Sequence, residues 1–218
     1  MRKIFALIGF FAFVFSQQYI YAQQFNGGLI GGISASEISG DYLSGPNKLG
    51  AYAGAFANIY IADRSALQME IDFVQKGSRK VPDASDTIPG LVYDYKLVLN
   101  YINVPILYRY DWTPWISFEA GPSIGLLLDS YEMANGYTND DVAGGNFNFF
   151  DLGIDVGMSF RFLLNWELNV RYSNTFFLTP VRPHAGNTQT FFNRGQLNEV
   201  LSFTFHYTIF ARGRRWYE

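Results

Sequence analysis

The sequence predicts an all-β protein: an eight-stranded antiparallel up-and-down transmembrane β-barrel. Three observations predict it. Apolar and polar residues alternate with period two in eight successive segments. The connections between those segments alternate between long and short. After the N-terminal apolar run, no stretch approaches the ~18 consecutive apolar residues of a membrane helix. If the chain crosses a bilayer it must therefore do so with strands, because only helices and closed barrels satisfy every backbone group in lipid.

The chain of 218 residues opens with an export-type segment. Arg2 and Lys3 give a positive start, Ile4 to Phe15 is apolar and uncharged, and Ala22 before Gln23 offers a small residue for cleavage, although Ile20 is bulkier than the ideal. The expected organisation is a signal peptide over 1–22, a barrel over 23–210 and a short basic tail over 211–218. The tail carries Arg212, Arg214 and Arg215.

The elements follow in order. Phe25 to Ser36 sets Leu29 and Ile33 against Asn26 and Ser34. Leu49 to Ile61 is rich in Ala and Gly, and its phase is ambiguous. Leu67, Met69, Ile71 and Phe73 alternate with Gln68, Glu70 and Asp72. The fourth segment, Leu97 to Tyr110, changes phase near Ile102, which points to a bulge, and Pro105 cannot donate to a ladder. In the fifth, Trp115 to Leu128, Phe118, Ile124 and Leu126 oppose Ser117, Glu119 and Ser123. The sixth opposes Leu152, Ile154, Val156, Met158 and Phe160 to Asp151, Asp155, Ser159 and Arg161. The seventh sets Trp166, Leu168, Val170 and Tyr172 against Glu167, Asn169, Arg171 and Ser173. The eighth sets Leu201, Phe203, Phe205, Tyr207 and Ile209 against Ser202, Thr204, His206 and Thr208.

Three connections are short: Ala62–Ser65, Asp111–Pro114 and Leu163–Asn165. Four are long and polar: Glu37–Lys48, Gly77–Lys96, Asp129–Asn146 and Asn174–Gln196. In an up-and-down barrel the long ones all emerge at one end. That asymmetry, with an even strand count, is the pattern of outer-membrane barrels, whose short turns are periplasmic and whose long loops are extracellular.

The polar faces carry small residues and charges. A soluble barrel would bury its apolar faces; a membrane barrel turns them outward. The expected interior is a polar network of Glu70, Asp72, Arg109, Glu119, Asp151, Asp155, Arg161, Glu167, Arg171 and His206. Eight strands enclose a space that side chains just fill, so a plugged core is expected rather than a wide channel. Aromatic residues make up 18% of the chain. Tyr60, Tyr108, Tyr110, Trp112, Trp115, Phe160, Phe162 and Trp166 gather near the short turns, as a periplasmic aromatic girdle would. Tyr93, Tyr95, Phe149, Phe176, Phe177, Phe191 and Phe192 are candidates for the opposite rim.

Charge and composition exclude several functions. Loss of Met1–Ala22 takes two of the 16 basic side chains and none of the 19 acidic ones, moving the formal charge from −3 to −5. A nucleic-acid role, which favours a basic face, is not expected. With no cysteine there is no disulfide or Cys-based metal site. No catalytic site is expected: of the two histidines, His206 lies on a polar strand face, and nothing in the sequence sets His184 against Ser173 or Asp140. The acidic stretch Asn139, Asp140, Asp141 with Gly144 and Gly145 lacks the spacing of a calcium loop. The run Gly27, Gly28, Gly31, Gly32 lacks the Lys and helix of a phosphate cradle. Neither metal nor cofactor is expected.

Several segments resemble the PorT-like outer-membrane β-barrel family of the Bacteroidetes: Leu67–Arg79 (LQMEIDFVQKGSR), Tyr101–Tyr110 (YINVPILYRY), Ala120–Leu128 (AGPSIGLLL), Asp151–Phe162 (DLGIDVGMSFRF) and Asn169–Thr175 (NVRYSNT). The resemblance implies an eight-stranded barrel in the outer membrane. The family's namesake takes part in type IX protein secretion, while most members have no assigned activity. Barrels of this kind often end on an aromatic residue, here Phe210, yet Ala211–Glu218 follows. The expected function is a structural or interaction scaffold acting through its external loops, which hold Tyr42, Tyr93, Tyr95, Tyr131 and Tyr137. The alternatives are a part in a secretion or outer-membrane assembly complex and, third, a small-solute porin. Expected partners are outer-membrane lipid and other outer-membrane or periplasmic proteins.

Overall fold

The computed structural model describes residues 25–39, 47–80, 94–138, 147–176, 179–182 and 195–211. The expected signal peptide and the tail beyond Ala211 lie outside the described residues. Among the described residues, nine strands form one antiparallel sheet: β1 (Phe25–Ser39), β2 (Lys48–Ala62), β3 (Ser65–Lys80), β4 (Tyr95–Asp111), β5 (Ile116–Ala134), β6 (Tyr137–Thr138), β7 (Phe150–Leu163), β8 (Trp166–Thr175) and β9 (Leu197–Ala211). Eight of them close a barrel. Each pairs with its chain neighbour, and β9 returns to β1, so no long edge is left open. The two-residue β6 only folds back on the end of β5, pairing Tyr137 with Ala134.

The wall is inside out relative to a soluble barrel. On β7 the alternation is clean: Leu152, Ile154, Val156, Met158 and Phe160 are exposed on the outside, while Asp151, Asp155, Ser159 and Arg161 are buried inside. On β9, Phe203, Phe205, Tyr207 and Ile209 face out and Ser202, Thr204, His206 and Thr208 face in. An apolar exterior around a charged interior is stable only where the surroundings are apolar too.

Two-residue turns join β2 to β3 at Asp63–Arg64 and β7 to β8 at Leu164–Asn165. The third turn, Trp112–Trp115, is held by Thr113: its Oγ1 accepts from the Ile116 amide at 2.9 Å and the Trp115 amide at 3.2 Å. At the other end the strands run on into segments expected to be loops; β3 reaches Lys80 and β5 reaches Ala134.

Two expectations about phase are corrected. The change of pattern near Ile102 is not a slip within β4, whose odd-numbered residues face inward from Leu97 to Asp111. The ladder irregularity lies opposite: Asn100 pairs with Asp129 and Tyr101 with Leu127, so the extra residue is Leu128 on β5. The second segment does have a single phase. Its even residues Tyr52, Phe56 and Asn58 point inward and its alanines outward. Gly28 explains how a ring fits there: a Cβ on Gly28 would collide with the Tyr207 carbonyl oxygen and the Phe56 ring. Bare backbone at that point lets Phe56 lie across the inner wall.

Candidate functional site

The lumen divides into layers along its axis. Nearest the short turns, β4, β7 and β8 bring together Arg109, Arg161 and Glu167. Arg109 Nη2 stands 2.5 Å from Glu167 Oε2, and Arg161 Nε donates to Glu167 Oε1 at 2.9 Å. Ser117 Oγ donates to Asp111 Oδ1 at 2.7 Å and accepts from Arg109 Nη2 at 2.9 Å. Arg161 also donates to the Pro114 carbonyl at 2.9 Å, tying this layer to the turn.

The middle layer centres on Arg171 of β8. Its guanidinium reaches across the lumen to Glu70 on β3, at 2.6 and 2.8 Å, and to Glu119 on β5, at 2.6 and 2.8 Å. Gln68 donates to Glu70 as well. Tyr52 OH accepts from Arg171 at 3.2 Å and donates to Asp72 at 2.9 Å. Asn169 links Glu119 and Ser159 at 2.8 and 2.9 Å. His206 is buried, 3.1 Å from Thr204 Oγ1 and with its ring 5.4 Å from that of Phe56. Arg–carboxylate pairs of this geometry are charge-assisted and directional. They join strands far apart around the circumference.

Above this, Lys76 donates to Asp151 at 2.9 Å, and Asp151 also accepts from Thr175 at 2.7 Å and Asn198 at 2.9 Å. Lys76 Nζ lies 4.8 Å from the Tyr101 ring centroid. A small recess borders this group, lined by Ser123, Ser173 and Thr175 among others. Among the described residues, Asp155 and Asp72 are buried without a salt bridge, and one oxygen of each meets no donor.

The lumen then changes character. Ile38, Leu97, Leu99, Tyr101 and Val181 form a fully buried apolar cluster, with Tyr95, Leu127 and Phe147 packed against it. Val181 belongs to segment 179–182, between β8 and β9, which is stitched across the mouth. Asn148 N donates to the Val181 carbonyl at 2.8 Å, Leu152 N to Thr179 Oγ1 at 3.0 Å, and Val181 N to the Gln196 carbonyl at 2.8 Å. Arg182 bonds Glu132 at 2.8 Å and lies 4.4 Å over the Phe147 ring; Tyr95 OH donates to Glu132 at 2.6 Å.

All ten residues read from the sequence as an interior network are thus buried in the lumen, and eight of them join hydrogen-bonded ion pairs or share Tyr52 with one. Asp155 and His206 do not. The apolar cap was missed because inward-facing leucines in β4 read as lipid-facing ones.

The girdle needs one correction. Tyr108, Tyr110, Trp112, Trp115, Phe160, Phe162 and Trp166 lie outward or on the turns, with Trp166 against Tyr207 at 4.8 Å and Phe162 against Phe205 at 6.3 Å. Tyr60 does not join them. It pairs directly with Ala66, which is buried inside, so Tyr60 faces the lumen at the short-turn mouth. At the far rim, Phe149 and Phe176 are exposed, whereas Tyr95 turns to Glu132. Tyr93, Phe177, Phe191 and Phe192 lie outside the described residues, as do Tyr42, His184, Asp140 and the whole acidic stretch 139–145.

The sequence model of the family described as "Outer membrane protein beta-barrel domain" matches residues 15–177. The chain belongs to that family. This outer-membrane barrel is similar in fold to Neisserial surface protein A, at 15% identity and a TM-score of 0.52, over 84% of this chain and 96% of that one. It also matches Ail, the attachment invasion locus protein of Yersinia pestis, at 11% identity and a TM-score of 0.47, over 84% and 97% of the two chains. No curated protein sequence matches it.

Proposed function

We propose that this outer-membrane barrel is a closed, non-conducting scaffold that works through its long loops, as a structural or interaction protein. In this reading the long loops are extracellular, the short turns are periplasmic, and the protein is not an enzyme. The observation that carries the reading is the filled lumen. Arg171 spans it from β8 to β3 and β5, and the apolar cluster around Leu99 seals the mouth above. A ligand would have to disrupt both to pass. The rim is where side chains remain available: Tyr131 and Tyr137 are exposed there. Loops on a rigid scaffold commonly carry recognition.

Planar-bilayer recording of the purified protein tests it. We expect no unitary conductance above background; stable open channels in the native chain would replace the scaffold by a porin. Partners captured in mild detergent should be lost when the long loops are shortened and kept when the short turns are altered.

A narrower reading rests on the resemblance of Leu67–Arg79 and Asp151–Phe162 to the PorT-like family of the Bacteroidetes. It makes the barrel one component of a protein secretion or outer-membrane assembly complex of type IX kind. A deletion strain that exports its surface cargo at the normal rate would end that reading and leave the scaffold untouched.

A further inference from the structure

The outer wall has a cationic corner at the long-loop end that the interior network does not use. Arg79 on β3 and Lys96 on β4 are directly opposed in the ladder, and both are exposed on the outer face. Cβ atoms of such partners stand about 4.5–5.5 Å apart, where like charges repel. Neither side chain makes an ion pair among the described residues. Lys48 adds a third charge from behind. It is only 4% exposed, and its Nζ has no hydrogen-bond partner among the described residues. Its side chain lies across Gly77, where an added Cβ would stand 3.0 Å from Lys48 Cδ, and its charge and that of Lys96 oppose each other.

Two neighbouring acids on β5 are engaged elsewhere. Glu132 is held by Tyr95 and Arg182, and Asp129 faces Asn100 at 3.5 Å. Three cations are therefore gathered on a chain whose net charge is negative. Their position is informative. Below the Arg79–Lys96 pair, the outer wall continues through Val98 and Tyr131, crosses the polar row Gln75–Asn100–Asp129, and enters the lipid-facing surface at Phe73 and Ile102. The corner thus stands just beyond the apolar band, where headgroups lie. Long Arg and Lys side chains can bend toward that layer while their stems stay on the wall.

We infer that Arg79 and Lys96, backed by Lys48, hold the phosphate of an anionic lipid headgroup in the leaflet that meets the long-loop end. The guanidinium offers a fork of donors to two phosphate oxygens, and Lys96 supplies a point charge beside it. The bound anion removes the repulsion that the ladder register builds in.

Native mass spectrometry of the full chain, with phosphatidylglycerol or phosphatidylcholine added, tests this. The native protein should retain phosphatidylglycerol roughly tenfold better than phosphatidylcholine, a difference one charge-assisted contact accounts for. Arg79→Gln with Lys96→Gln should lose that preference, and Arg64→Gln, at the opposite end, should keep it. The heat-dependent gel shift of a folded barrel checks each variant, and Lys96→Gln alone, with an exposed side chain, serves if the double variant does not fold. No preference in the native chain, an unchanged double variant, or an equal loss in Arg64→Gln would overturn the site. Displacement of the lipid by inorganic phosphate at matching concentration would overturn the lipid assignment.

Discussion

The two halves of the lumen are filled by opposite means. From the short turns to its middle, the space is bridged by guanidinium–carboxylate contacts among Arg109, Arg161, Glu167, Arg171, Glu70 and Glu119. At the long-loop mouth it is filled by Ile38, Leu97, Leu99, Tyr101 and Val181. The charged half has stringent geometry: each ion sits away from bulk water, so removing one partner strands the other. The apolar half is bounded on one side by a loop segment, so a loss there can be partly absorbed by movement of 179–182. The difference teaches that the lower half fixes the barrel's shape and the upper half closes it.

Breaking the charged half should cost most. Arg171→Leu leaves Glu70 and Glu119 without their cation and should lower stability by about 3–5 kcal/mol, read from urea unfolding in vesicles. Adding Glu70→Gln and Glu119→Gln to the same chain should restore much of it. In the apolar half, Leu99→Ala should cost about 2–3 kcal/mol, near the low end for a buried leucine. Should Leu99→Ala prove more damaging than Arg171→Leu, the ranking of the halves reverses. Conductance sharpens the contrast: Leu99→Ala with Val181→Ala should still pass no current, because the Arg171 layer lies beneath. Smallest of all, Trp166→Ala on the outer face should cost about 1 kcal/mol by removing its contact with Tyr207.

Much of this was legible in the residues. In β7 every charged position alternates with an apolar one, so one face could only be lumen and the other lipid. Where the rule failed, the lumen itself was not polar. Leu97, Leu99 and Tyr101 point inward into an apolar cap, and a pattern that equates apolar with outside reads them as a slip in β4. Tyr52 and Phe56 blurred β2 for the same reason, since small Ala side chains occupy its outer face. Tyr60 shows a further limit. Nearness to a turn suggested the girdle, but its pairing with Ala66 decides the side, and pairing is not visible in one strand alone. The Arg79–Lys96 corner was hidden likewise, since its members lie on different strands.

The closure of β9 on β1 has a consequence for the order of events. Ser39 and Glu199, hydrogen-bonded at 2.9 Å across that seam, are 160 residues apart. Strand β1 waits for β9 to complete its ladder. Any shorter product keeps two raw edges, whose backbone groups lipid cannot satisfy. The wall can therefore close only once β9 is available to pair with β1.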